Sequence, residues 1–265
     1  MKKIISGWSL IKIFTLLVYI WMFAPIVAVV LLSFNPQQFG SFPMKGFSFR
    51  WYGELMHNAS ILGAFKNSLI LGSLTAILST AIAVPAALAF VRYNFRGKDF
   101  LNTLLIAPIM IPEVVLGVAL LLFLRWLQQP KSFMLLLVGH VVLTLPYVLL
   151  VVQARMVGIK KDYEEAAMSL GASPFQTFLS VTFPLLSPAI FVGMLFSFTI
   201  SFDDVTATLF WSTASQQTVP IKIFGMLRNS ISPEINALGT VMIVLTISLP
   251  LAAGYVSRRF AKGSK

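Results

Sequence analysis

Apolar residues in this chain gather in six long blocks, at about 11–33, 67–91, 102–124, 133–155, 185–208 and 237–257. A helix needs about 20 apolar residues to cross a hydrocarbon core of roughly 30 Å, so each block can span a bilayer. Within lipid, every backbone polar group must find a partner inside its own element. The blocks are too long and too evenly apolar for the alternating strands of a barrel, which leaves helices. The expectation is an all-α membrane protein of six spans, one domain over residues 1–265. Composition agrees, since 11% of residues are charged against about 25% in soluble domains.

The net charge of +11 raises the question of a nucleic-acid partner, and its distribution answers it. With the N-terminus in the cytoplasm, six spans return the C-terminus to the same side. Thirteen of the 20 Lys and Arg then lie there, including Lys2, Lys3, Arg92, Arg96, Lys98, Arg155, Lys160, Lys161, Arg258 and Arg259. This is the positive-inside bias of a membrane protein, and it sets the orientation without any nucleic acid. Lys2 and Lys3 precede an apolar run too long for a signal-peptide core, with no small-residue cleavage pattern after it. The run reads as an uncleaved first span. The absence of cysteine excludes disulfides, thiol nucleophiles and thiolate metal sites.

The segments between spans carry the polar chemistry. Residues 34–66 face outward, with turn residues Pro36, Gly40, Pro43, Gly46 and Gly53 and the amphipathic cluster Phe49-Arg50-Trp51-Tyr52, suited to the membrane–water interface. Asn67-Ser68 is expected to open the second span. Pro25, Pro85, Pro108, Pro112 and Pro146 lie inside spans and predict kinks. The cytoplasmic segment 156–184 reads as two short helices. Asp162 would cap the first, which runs to about Leu170 and ends at Gly171; Ser173 caps the second, with Pro174 at its first position, and Pro184 would stop it. Read from the residues alone, this hairpin either docks a partner or folds against its own bundle.

Glu165-Ala166-Ala167, then Gly171, then Val181-Thr182-Phe183-Pro184 resemble the EAA signature of permease subunits of binding-protein-dependent ABC importers. Val181 and Phe183 depart mildly from that pattern while keeping its apolar character. The resemblance extends to Asn67-Ser68-Leu69, to Arg92–Gly97 and to Ser201-Phe202-Asp203-Asp204. It implies the six-span type I (MetI-like) permease fold, with Glu165, Ala166, Ala167, Gly171 and Pro184 coupling to a cytoplasmic ATPase dimer. It also implies a second permease subunit, a related chain, and an external solute-binding protein. No Gly-x4-Gly-Lys-Ser/Thr phosphate loop occurs in this sequence. ATP and Mg therefore belong to the partner ATPase, and no cofactor is expected in this chain.

Nine acids are present, and three fall within or beside spans: Glu113, Asp203 and Asp204. A charge at the centre of a span costs about 2.5–3.5 kcal/mol on insertion scales, so such residues face a wet cavity or a partner. Ser197, Ser201, Asp204 and Thr208 share one helical face; Thr199, Asp203 and Thr206 share another. The candidate substrate path is Glu113, Ser201, Asp203 and Asp204, with Trp51 at its mouth. Hydrogen bonding between helices would explain the Ser and Thr residues equally well. Carboxylates without intramembrane bases attract cations, and a polyamine supplies ammonium groups for them and methylenes for aromatic faces. The chain is most similar to the smaller permease of spermidine/putrescine importers. Relatives of that kind also carry iron, opines, thiamine or phosphonates. An ion-coupled carrier would leave the hairpin without a task. An intramembrane enzyme would need more than His57 and His140, neither of which stands at metal-ligand spacing from an acid; His140 reads as a packed residue.

Overall fold

The computed structural model describes residues 7–37, 43–229 and 233–263; Lys2, Lys3, Gly40 and Lys265 lie outside them. The described residues form twelve α-helices and no strand: α1 (Gly7–Leu32), α2 (Arg50–His57), α3 (Ala59–Arg92), α4 (Lys98–Ile106), α5 (Glu113–Trp126), α6 (Phe133–Val157), α7 (Asp162–Ser169), α8 (Pro174–Thr177), α9 (Phe183–Asp203), α10 (Thr206–Trp211), α11 (Val219–Asn229) and α12 (Pro233–Gly263). Among the described residues five helical stretches are long and apolar enough to cross a membrane, and α4 and α5 reach that length and apolarity only together, as a sharply bent pair. The chain divides into two compact units, Met1–Leu62 with Ile223–Val244, and Gly63–Lys222 with Leu245–Lys265.

In the first unit, α1 carries an apolar window over Leu10–Leu32 of which none is buried within the chain. Its end is tied down by α2. The Trp51 indole donates to the Asn35 carbonyl at 2.6 Å, and the hydroxyls of Ser33 and Tyr52 lie 2.7 Å apart.

The second span starts earlier than Asn67. Asn58 caps α3, its Oδ1 accepting from the backbone of Ser60 and Ile61 at 3.1 and 3.3 Å. The 34 residues of α3 reach about 50 Å, well beyond the hydrocarbon layer. Asn67 and Ser68 lie within it and bind a neighbouring segment instead. The Asn67 amide donates to the carbonyls of Ser215 and Gln217, and the Ser68 hydroxyl accepts from the Val219 N–H.

The third span is broken rather than straight, contrary to the expectation for 102–124. A 3₁₀ turn, Ala107–Met110, follows α4, and the axes on either side of Ile111-Pro112 differ by 111°. The cause is chemical. Pro112 has no N–H to continue a helix and forces the residue before it into extended geometry, and Ile111 has φ −94° and ψ 128°.

The fifth span departs from expectation at both ends. Pro184 does not stop α8; the chain is helical from Pro174 to Asp203. A π turn over Phe178–Thr182 widens the helix just before Pro184, which accommodates a residue that would otherwise clash with the preceding turn. At the far end α9 finishes at Asp203. Asp204 is extended (φ −67°, ψ 127°) and the helix resumes only as α10.

Within the second unit α6 is the central element, apolar on all sides as a buried helix must be. One end packs Val148, Leu149, Val152 and Met156 against Ala83, Val84 and Ala87 of α3 and Leu186 and Ile190 of α9. The other packs Leu136, Leu137 and Val141 around Leu71 and Trp211. Two glycines make close approach possible. A Cβ on Gly193 would stand 2.9 Å from Val148, and one on Gly139 would stand 2.3 Å from the Trp211 ring.

Candidate translocation site and inter-span hairpin

The break in the third span creates a cavity of about 190 Å³. Pro108 and Pro112 form its elbow, α6 supplies Leu143 and Tyr147, α9 supplies Ile200, and Glu113 stands at its edge. Glu113 is the first residue of α5, so the end of the helix that favours negative charge holds this carboxylate. Among the described residues no Lys or Arg pairs with it. An acid at a spanning-helix break, beside a cavity and without a cation of its own, is the strongest candidate for a solute contact.

The break in the fifth span separates the two aspartates. Asp203 is exposed, and its Oδ1 accepts from the Thr246 hydroxyl at 3.0 Å. Asp204 turns inward and is buried. Its Oδ2 accepts from the Thr208 N–H at 2.7 Å and the Thr208 hydroxyl at 2.6 Å, and its Oδ1 from the Ala207 N–H. One residue before Val205, which holds the cap position of α10, it accepts from donors that the break leaves open. His140 continues the network, with Nε2 3.0 Å from the Thr208 hydroxyl and Nδ1 2.8 Å from the Ser201 hydroxyl. Because the Thr208 proton goes to Asp204, Nε2 is the donor in its contact with Thr208, and the Ser201 hydroxyl also reaches that of Thr75 at 3.4 Å. One turn on, Thr144 accepts from Ser79 and Ser197, both at 2.8 Å.

Sequence reasoning expected Ser201, Asp204 and their helical neighbours to line a path. The structure brings them together and closes them inside the protein, because their hydrogen-bond partners lie on α6 and α10. Trp51 also departs from expectation. It is buried with its N–H committed to Asn35, and Arg50 lies over its ring at 5.0 Å. It anchors α2 rather than offering an open face. Of the five expected path residues, only Glu113 and Asp203 present carboxylates at the surface.

The hairpin between α6 and α9 has the expected two-helix form with a different start. Lys161, not Asp162, holds the cap position of α7 and makes no side-chain cap bond. Gly171 adopts φ +92°, a left-handed conformation that glycine takes without steric cost, and it turns the chain between the helices. Ser173 and Gln176 form a reciprocal capping box at the start of α8. Glu165 and Ala166 are exposed, Ala167 is half-buried, and Gly171 and Pro184 are exposed. Glu165 pairs with Lys161 at 3.2 Å on the surface.

Sequence reading missed Glu164. It is buried, 2.9 Å from Arg92 Nε at the end of α3, and it accepts from the Thr182 hydroxyl at 2.9 Å. Arg92 also donates to the Ile159 carbonyl at 3.0 Å. Partners 72 and 18 positions away in the sequence leave no local signature.

Several helices long and apolar enough to span a bilayer, with a polar hairpin between two of them, define a multi-pass membrane protein. The chain matches the binding-protein-dependent transport system inner membrane component family over residues 79–262, and it belongs to that family. It is 36% identical over 247 residues, 93% of each chain, to the spermidine/putrescine transport system permease protein PotC of Escherichia coli (strain K12). It is 31% identical over 264 residues to the putrescine transport system permease protein PotI of the same organism, covering 97% of this chain and 93% of that one. In fold it is similar to a bacterial ABC transporter involved in the import of the acidic polysaccharide alginate. That crystal structure aligns with a TM-score of 0.76 at 16% identity, covering 96% of this chain and 97% of the other. The chain is therefore a permease subunit of an ABC importer, a multi-pass protein of the bacterial inner membrane and a transport subunit rather than an enzyme.

Proposed function

We propose that this chain forms one side of a translocation path for a polyamine of the spermidine or putrescine type. The unpaired carboxylate of Glu113 beside its cavity carries the reading. An ammonium group entering there gains a counter-ion, and Tyr147 supplies an aromatic neighbour for the charge and the methylenes. Asp203 offers a second carboxylate for a substrate with more than one ammonium group. The spermidine/putrescine and putrescine permeases among its relatives support the same substrate class. The path is completed by a second, related permease subunit. A solute-binding protein delivers cargo from outside, and a cytoplasmic ATPase dimer, which holds ATP and Mg, docks on the 156–184 hairpin through Glu165, Ala166, Ala167, Gly171 and Pro184. Both termini lie in the cytoplasm, as the charge bias supports.

The test is uptake of radiolabelled spermidine and putrescine by cells expressing the whole transporter. Glu113→Gln and Asp203→Asn each remove a charge while keeping shape. Each is expected to lower uptake at least tenfold while the protein remains in the membrane with its ATPase bound. Wild-type uptake by both variants refutes the assignment.

A further inference from the structure

We propose that Glu164 is a positioning residue that divides the motion of the hairpin between two spans. The proposal rests on the importer reading above. Its carboxylate has two oxygens with two different destinations. Oε2 lies 2.9 Å from Arg92 Nε, in the last turn of α3, as an ion pair without hydrogen-bond alignment, and Oε1 accepts a hydrogen bond from Thr182 at 2.9 Å. The Arg92 guanidinium reaches on to the carbonyl of Ile159, just beyond α6, at 3.0 Å. The side chains of Arg92 and Glu164 are only 10% and 11% exposed, so water neither screens nor replaces the contact. One buried group thus ties α7 to the end of α3, to the exit from α6 and to the base of α9.

The connection to α9 enters at a deformable point. Thr182 is the last residue of the π turn, and π turns occur as isolated, less regular widenings of helices. Pro184 lies two residues beyond it and opposes a return to regular α geometry. A displacement of α7 would be delivered through Thr182 to the π turn and through Arg92 to α3, which packs along α6 through Ala83, Val84 and Ala87. Glu165, one residue on, points outward and remains available to a partner. Adjacent acids therefore take separate tasks: Glu165 meets the partner, and Glu164 conveys the movement inward.

The experiment uses the complete transporter in proteoliposomes, with its permease partner, ATPases and binding protein, and radiolabelled spermidine as probe. Glu164→Gln keeps volume and loses charge. Thr182→Val keeps the ion pair and loses only the branch to α9. Both variants are expected to retain the ATPase at wild-type stoichiometry and to hydrolyse ATP at the basal rate. Stimulation of hydrolysis by the loaded binding protein should fall at least fivefold, and spermidine imported per ATP should fall with it. The charge-exchanged pair Arg92→Glu with Glu164→Arg should recover a larger share of stimulation than either single change. Unaltered stimulation in both variants overturns the proposal. So does loss of the ATPase from both, because the contact would then serve docking. If Glu164→Gln alone fails to assemble, Thr182→Val decides. A wild-type complex whose ATPase the binding protein never stimulates would instead sink the importer reading, and this proposal with it.

Discussion

Gly139→Ala tests how closely the buried network is packed. The added Cβ would stand 2.3 Å from Cζ3 of Trp211, 2.4 Å from Cε3 and 2.9 Å from Cη2. Carbon atoms settle at about 3.5–4.0 Å, so the ring must retreat by more than about 1 Å. Trp211 has nowhere to go. It is fully buried, its indole N–H donates to the Gly117 carbonyl at 2.8 Å, and the His140 ring meets it edge-on at 6.1 Å between centroids. Overpacking costs about 1–3 kcal/mol, and the strained or broken hydrogen bond about 0.5–1.5 kcal/mol more. A total of about 2–4 kcal/mol lowers the folded-to-unfolded ratio at least about 30-fold. For a chain of this size, it lowers the melting midpoint by about 5–10 °C. The assay is thermal unfolding of the detergent-purified transporter, read by loss of the monodisperse species. Trp211→Phe removes the outer ring carbons that clash, so the same glycine change in that background should cost less than half as much. A Gly139→Ala protein that melts within about 1 °C of wild type, or one that Trp211→Phe does not relieve, would refute the packing argument.

Three further outcomes follow from the geometry. Asp204→Ala leaves two backbone donors and the Thr208 hydroxyl without an acceptor inside the protein; it should destabilise by about 2–4 kcal/mol in the same melting assay. Asp203→Ala should melt like wild type and lose uptake, so the two neighbours separate stability from transport. Asn58→Ala removes the cap of α3 and should cost about 1 kcal/mol, seen as faster hydrogen exchange over residues 59–62 with the rest of α3 unchanged. Gly171→Ala places a side chain at φ +92°, costs about 1–2 kcal/mol and should weaken retention of the ATPase on an affinity column, with Gly171→Asn less affected.

Much of this fold was legible because apolar length is a local property. The first, fourth and sixth spans stand close to where hydropathy puts them, and the hairpin followed from Gly171, Ser173 and Pro174. The errors share a cause. Pro108 and Pro112 announced distortion in the third span, but only the tertiary setting turned two kinks into a 111° break. Pro184 read as a terminator because a π turn upstream has no sequence mark. Asn67-Ser68 looked like a helix start because the same side chains that cap helices also bind loops, and the actual cap was Asn58. In the site, helical periodicity correctly grouped Ser197, Ser201, Asp204 and Thr208 but was silent on which way the group faced. That depended on His140 and Thr144, about sixty residues away in the chain. The Glu-Ala-Ala pattern marked Glu165, but nothing local marked the buried Glu164, whose place depends on Arg92, 72 residues away.

The bare flank of α1 has a consequence for the life of this polypeptide. A newly made copy must insert an apolar rod, Leu10–Leu32, that the described residues leave unburied. Companions have to come from elsewhere, either lipid or other subunits. Lipid tails are as apolar as the rod itself, so another subunit adds close packing along that flank rather than rescue from water.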